Sequence, residues 1–285
     1  MAVVTNESYE IGREIVEHVK RTVPGIDGAV VSWFHFPDPA FIQRSCQRSK
    51  FAAIELSNGD IGIAYAAYVP DGDPAASIAT ENRLLGTPAL DLVDWLGKPD
   101  ALPAQRAIAM AVVNALSTGH VKAKGLLSRL DFMDAVDAMD IISTDIVGMV
   151  GMFPPLVQPV AKKAAFLHVI ELKPDLVQVH DGWDVTLDPS RLGSCNKIMV
   201  TGTVLLNGTL QAMVELAKHA ELLALIGPTA SFLPDSLFSA GFDIVAGSIV
   251  VDPEGFKARV SHGEPWGVTT RKFVARKDRW TATRQ

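Results

Sequence analysis

The chain has 285 residues, a net charge of −6 and a pI near 5.6, a balance that disfavours sequence-independent binding to a nucleic-acid backbone. With 48% hydrophobic and 20% charged residues, it holds enough apolar material for packed cores and too little charge for a disordered chain. Its length favours two domains sharing a cleft. Cys46 and Cys195 stand far apart and outside any C-x-x-C, which fits a reducing compartment and sets up no disulfide framework. The first residues lack a basic region followed by an apolar core, and no apolar run reaches the roughly 18 residues of a membrane span. A cytoplasmic protein with neither membrane nor nucleic-acid partner is expected.

In chain order, Ile11, Ile15, Val19 and Val23 repeat at i, i+4, so an amphipathic helix is expected over about Ser8 to Val23, ended by Pro24 and Gly25. Strand-like runs follow at Ala29 to Phe36, Phe51 to Leu56 and Ile61 to Tyr68. The last two flank Asn58 and Gly59, a hairpin signal. After a turn at Asp71 to Pro74 come helical segments at Ala89 to Leu96 and Ala104 to Leu116, the second almost wholly apolar and therefore buried. Residues 1–119 form a small α+β domain. Residues 120–140 read as a connector, whose acidic stretch Asp131 to Asp140 suits a solvated helix face.

Strand and helix then alternate. Apolar runs at Asp145 to Met152, Ala165 to Ile170, Leu176 to Val179, Lys197 to Val200, Leu222 to Ile226 and Phe242 to Ala246 are separated by helical segments at Leu156 to Lys163, Leu210 to His219 and Asp235 to Ala240. This implies an α/β domain over residues 141–267: a mostly parallel sheet with helices on both faces and ligands at the carboxyl ends of its strands. The basic stretch Arg271 to Arg284 falls in residues 268–285, expected as a solvated tail or final helix.

Collecting the strand ends yields the ligand-binding candidates Gly151, Pro154, Glu171, Thr201, Gly202, Thr203, Asn207, Gly227, Pro228 and Thr229. Glycines admit close approach of a ligand to backbone, while Thr and Asn cap helices and leave N–H groups facing the cleft, although ordinary turn chemistry uses the same residues. Glu171 ends the second strand of a β-α-β unit about 20 residues after Gly151, the place of a ribose-binding carboxylate in dinucleotide sites. Gly148 and Gly151 do not complete G-x-G-x-x-G, and Pro154 with Pro155 removes two donors a pyrophosphate needs, so S-adenosylmethionine ranks ahead of NAD. His180, Asp181 and Asp184 are the densest set of metal donors, usable together only if their loop folds back. A divalent metal and S-adenosylmethionine are thus the cofactor candidates; catalytic residues are not assigned.

At Val147 to Leu156, Val169 to Glu171, Val200 to Leu210, Ile226 to Thr229 and Ala246 to Pro253, with a weaker match at Ala109 to Leu116, the chain resembles the putative heavy-metal chelation family. Its members join an enolase N-terminal-like domain to a Rossmann-like domain. The resemblance implies that two-domain fold, with a site between the domains for a small molecule or metal chelate. Enzymatic activity and assembly as a homo-oligomer stay open, and a non-catalytic interaction protein is the remaining alternative.

Overall fold

The computed structural model describes residues 6–37, 50–70, 73 and 83–281. Cys46, most of the Asp71 to Pro74 turn and the end of the basic stretch lie outside these. The fold is mixed α/β, with one small antiparallel sheet and one large, mostly parallel sheet.

Helix α1, Glu10–Thr22, buries Ile11, Ile15 and Val19 on one face, as the i, i+4 spacing requires, and yields to an extended Val23. Strands β1 (Val31–His35), β2 (Phe51–Leu56) and β3 (Ile61–Tyr65) form the small sheet in that order, all antiparallel. Gly59 turns the β2–β3 hairpin at φ +83°. After the short helix α2 (Ala89–Val93), α3 spans Pro103–Ala123. Proline opens α3 where no N–H is needed, and Gln105 Oε1 accepts the Leu102 N–H at 2.8 Å. The helix runs about two turns beyond the expected stop at Leu116. Its neighbour β3 lies so close that a Cβ on Gly62 would fall inside the backbone of Ala111 and Ala115.

The large sheet has the order β4-β12-β11-β10-β9-β5-β6-β8-β7. Its parallel body is β5 (Ile146–Val150), β6 (Phe166–Ile170), β8 (Trp183–Thr186), β9 (Lys197–Thr201), β10 (Leu222–Ile226) and β11 (Ile244–Val250). The edges are antiparallel: β7 (Gln178–His180) pairs with β8, while β12 (Thr270–Arg276) and β4 (Leu130–Asp131) extend the other side. Three expectations change here. The Leu176 to Val179 run is half of a hairpin with β8 and not a parallel strand. The basic stretch supplies β12, whose Phe273, Val274 and Ala275 are buried while Arg271 and Lys272 face solvent. The acidic stretch holds β4 and a single turn, α4 (Ala135–Ala138), capped by Asp134; Val136 and Ala138 are buried, because the turn closes the sheet's underside.

Strand alternation divides the sheet's side chains between two cores. Val147, Met149, Leu167, Val169 and Met199 face α4 and α5 (Pro154–Ala161). Val150, Ile170, Ile198, Val200, Leu225 and Val245 face the other way, into one cluster with Ile15, Ile54, Ile108 and Leu116 of α1, β2 and α3. The second face, expected to carry helices alone, is covered largely by α1, α3 and the small sheet together with α6 (Leu210–Leu216) and α7 (Asp235–Ser239). Helix α8 (Pro253–Ser261), absent from the sequence reading, packs Phe256 against the small sheet, and α9 (Lys277–Thr281) ends the described chain.

Candidate functional site

Strand order reverses between β5 and β9. The chain leaves β5 for β6 on one side and leaves β9 for β10 on the other, and in sheets of this kind the carboxyl ends at such a reversal are where ligands bind. Gly151, at φ +80°, begins the loop after β5, and its N–H donates to the Ile170 carbonyl at 2.9 Å. A Cβ on Gly151 would lie 2.9 Å from Thr201 Cγ2, so only glycine lets this loop rest on the end of β9. Pro154 and Pro155 then open α5.

Glu171 sits beside this loop and is already engaged. Its Oε1 accepts the Met152 N–H at 2.7 Å and its Oε2 accepts the Leu172 N–H at 3.0 Å. The carboxylate therefore holds the glycine loop in place, with one lone pair per oxygen left over. Thr201 Oγ1 faces Thr203 Oγ1 at 3.1 Å and caps the turn Gly202–Leu205, while Asn207 Oδ1 accepts from the Thr209 N–H and hydroxyl at 3.2 and 2.7 Å. Gly227, at φ +110°, donates its N–H to the Ala246 carbonyl, and a Cβ there would meet the Phe153 ring at 3.6 Å. Pro228 starts the turn that follows. The candidates after β5, β6, β9 and β10 thus share one rim, and many of their polar groups serve the loops themselves.

Thr229 leaves that rim and points into the junction of the two sheets. It is 3% exposed; its hydroxyl accepts the Tyr65 N–H at 3.0 Å and its carbonyl accepts Asn114 Nδ2 at 3.0 Å. Asn114 Nδ2 also donates to the Ile63 carbonyl at 2.8 Å. Tyr65 comes from the small sheet; burial first, and the charge of Glu171 second, push its phenol up from the ordinary value. Neither Tyr65 nor Asn114 stood out in the sequence. Asn114 carried a signal all the same: a lone amide in an apolar helix must find buried partners.

The proposed metal set is separated by strand geometry. Trp183 and Asp184 are consecutive on β8 and point to opposite faces. The His180 ring stacks on Trp183 with centroids 4.1 Å apart, whereas Asp184 Oδ1 lies 2.8 Å from His168 Nδ1 on the other face. Asp181 is exposed in the turn between. Among the described residues no group of three or more His, Cys, Asp or Glu side chains could hold a metal ion. Cys195 offers no thiolate: burial pushes its thiol up to about 11, and Sγ donates to the Arg191 carbonyl at 3.4 Å. The described residues therefore do not by themselves fit a metal centre. An open groove of about 750 Å³ lies between α1 and α7. Its floor is helix surface, where His18 Nε2 stands 3.2 Å from Asp235 Oδ2, and it lacks the loop backbone of a strand-end site. No described helix is long and apolar enough to cross a membrane.

Comparison with known proteins agrees on one group. Two family models, both described as putative heavy-metal chelation, match residues 134–277 and 36–117. An uncharacterized protein of Methanocaldococcus jannaschii is 28% identical over 167 residues, which cover 57% of this chain and 61% of that protein, less than two thirds of its length. A crystal structure of a protein of unknown function from Desulfitobacterium hafniense DCB-2 superposes with a TM-score of 0.69 at 19% identity, covering 93% of this chain and 98% of that one. Another, from Pyrococcus horikoshii, gives 0.68 at 17%, covering 95% and 99%. At these identities the structures establish the shared fold alone.

Proposed function

Because the chain belongs to the putative heavy-metal chelation family, we propose that it binds a small molecule, in the family's terms a metal or metal chelate, between a small domain of residues 1–119 and a large domain of residues 141–267. The observation that supports the reading is the reversal of strand order between β5 and β9, where Glu171 holds the loop after β5 and Thr229, after β10, accepts the Tyr65 N–H of the small sheet. The lack of a three-donor metal set among the described residues favours a metal that arrives already chelated. Metal analysis of purified protein, with a thermal-shift screen against metals, metal chelates and nucleosides, tests this. A ligand at 100 times its dissociation constant should stabilise the fold by about 2.7 kcal/mol. A panel without any shift would leave the rim as plain loop structure and favour a non-catalytic interaction protein.

A second reading, an adenosine-containing cofactor with S-adenosylmethionine ahead of NAD, draws on Glu171 alone, since each of its oxygens keeps one lone pair for a ribose hydroxyl. Glu171→Gln keeps one acceptor and loses the charge, so nucleoside affinity should fall about tenfold or more. The Met152 loop should loosen as well, at a cost of about 1 kcal/mol in stability. Calorimetric titration of S-adenosylmethionine and NAD into both proteins decides; affinity indifferent to the substitution removes the ribose role.

A further inference from the structure

The two edges of the large sheet are finished differently. On one side β4 contributes only Leu130 and Asp131; Leu130 is buried, and the Asp131 carboxylate pairs with Arg276 and Arg279, charges of the kind that keep an edge from pairing. On the other side β7 ends the sheet with Gln178, Val179 and His180. Val179 is 81% exposed, and Leu172, Val177 and Leu187 beside it in the chain are exposed as well. The direction of the free backbone groups follows from β8. The Gly182 and Thr186 carbonyls accept the Leu167 and Glu171 N–H groups, each at 3.0 Å, so even-numbered residues along β8 turn their backbone toward β6, while Trp183 and Val185 turn theirs toward β7. Across the hairpin, Trp183 and Val185 meet His180 and Gln178. Val179, opposite Asp184, is therefore left with its N–H and its carbonyl both pointing out of the sheet.

We propose that this edge joins two copies of the chain, their large sheets continued through an antiparallel β7–β7 pair about a two-fold axis. In a pair centred on Val179, the Val179 of each copy donates its N–H to the other and accepts in return, so the two free backbone groups are satisfied by the same residue. The two valine side chains then stand side by side on the Asp184 face. On the opposite face Gln178 lies across from the second copy's His180, in the closely spaced kind of pair whose side chains touch, and stacking on Trp183 holds that ring on the same face. An apolar residue meeting itself, flanked by two amide–imidazole pairs, is what a second copy supplies and an arbitrary foreign strand does not.

Sedimentation velocity of the full-length chain over a rising concentration series should show the 30.6 kDa monomer giving way to a dimer of twice that mass. Val179→Pro removes the outward N–H without touching the bonds of Gln178 and His180 to β8, and Val179→Lys sets like charges directly opposite each other. Each should weaken dimerisation about tenfold or more while the melting temperature of the monomer stays near wild type. If the proline variant fails to fold, the lysine variant carries the comparison. A Cα separation of about 5.5 Å in such a pair suits a disulfide. Under mild oxidation Val179→Cys should therefore cross-link into dimers faster than Val268→Cys, whose position is 78% exposed on another part of the surface. A chain that stays monomeric throughout the series overturns the inference and leaves the edge to a strand of another protein. A dimer indifferent to both Val179 variants, or equal cross-linking at the two cysteines, overturns it as well.

Discussion

Asn114 is the residue on which the junction of the two sheets most depends. It is fully buried, and one amide group ties the Ile63 carbonyl of the small sheet to the Thr229 carbonyl in the turn after β10. Asn114→Ala would leave both carbonyls unpaired and open a small void, at a cost of about 2–4 kcal/mol; urea denaturation checks this, and a loss under 1 kcal/mol would show that water replaces the amide. His35, at the end of β1, gives the molecule an acid sensitivity. Burial pushes its imidazole down to about 4 from 6.5. The folded state binds that proton less readily than the unfolded chain, so its stability is intact above pH 6.5 and declines as pH falls towards 4, by at most about 3 kcal/mol. His35→Gln should flatten the profile in that window. An unchanged slope would assign the acid loss to other groups; His120, also lowered by burial, is the first to consider.

Among the elements, α3 and β3 set the tightest tolerance. Gly62 faces the backbone of Ala111 and Ala115, atoms that belong to a helix buried on nearly every side and cannot withdraw. Gly62→Ala should therefore destabilise by about 3 kcal/mol or more, through displacement of β3 from α3. Circular dichroism melting measures it; a fall in Tm of less than a few degrees would mean that the strand shifts freely. Elements with internal periodicity were legible. The i, i+4 repeat of α1 and the Asn58–Gly59 turn of the β2–β3 hairpin encode their own geometry. Strand β12 was not, because Arg271, Lys272 and Arg276 mask a three-residue buried core that makes sense only beside β11. The β7–β8 hairpin was missed for the same reason: Trp183 and Val185 alternate over only four residues.

At the scale of the molecule, one apolar cluster runs from Ile15 and Ile54 through α3 to Val200, Leu225 and Val245, so α1, α3 and the small sheet form a wall of the large sheet's core. The two halves should unfold in a single transition, since neither can lose the other without exposing that shared surface. Tryptophan fluorescence and far-ultraviolet circular dichroism should give coincident denaturation curves, and two separated transitions would contradict it. The sequence by itself determined the parallel α/β body, the small α+β unit before it and the strand-end positions of Gly151, Glu171, Thr201 and Gly227, since apolar period and turn residues are local properties. Only tertiary structure decided which of those groups are free. Glu171 is committed to Met152, Thr229 to Tyr65, and Asp184 to His168 on the face away from His180. A hydrogen bond between residues distant in the chain depends on strand order and on which face each side chain occupies, and both are settled when the sheets pack.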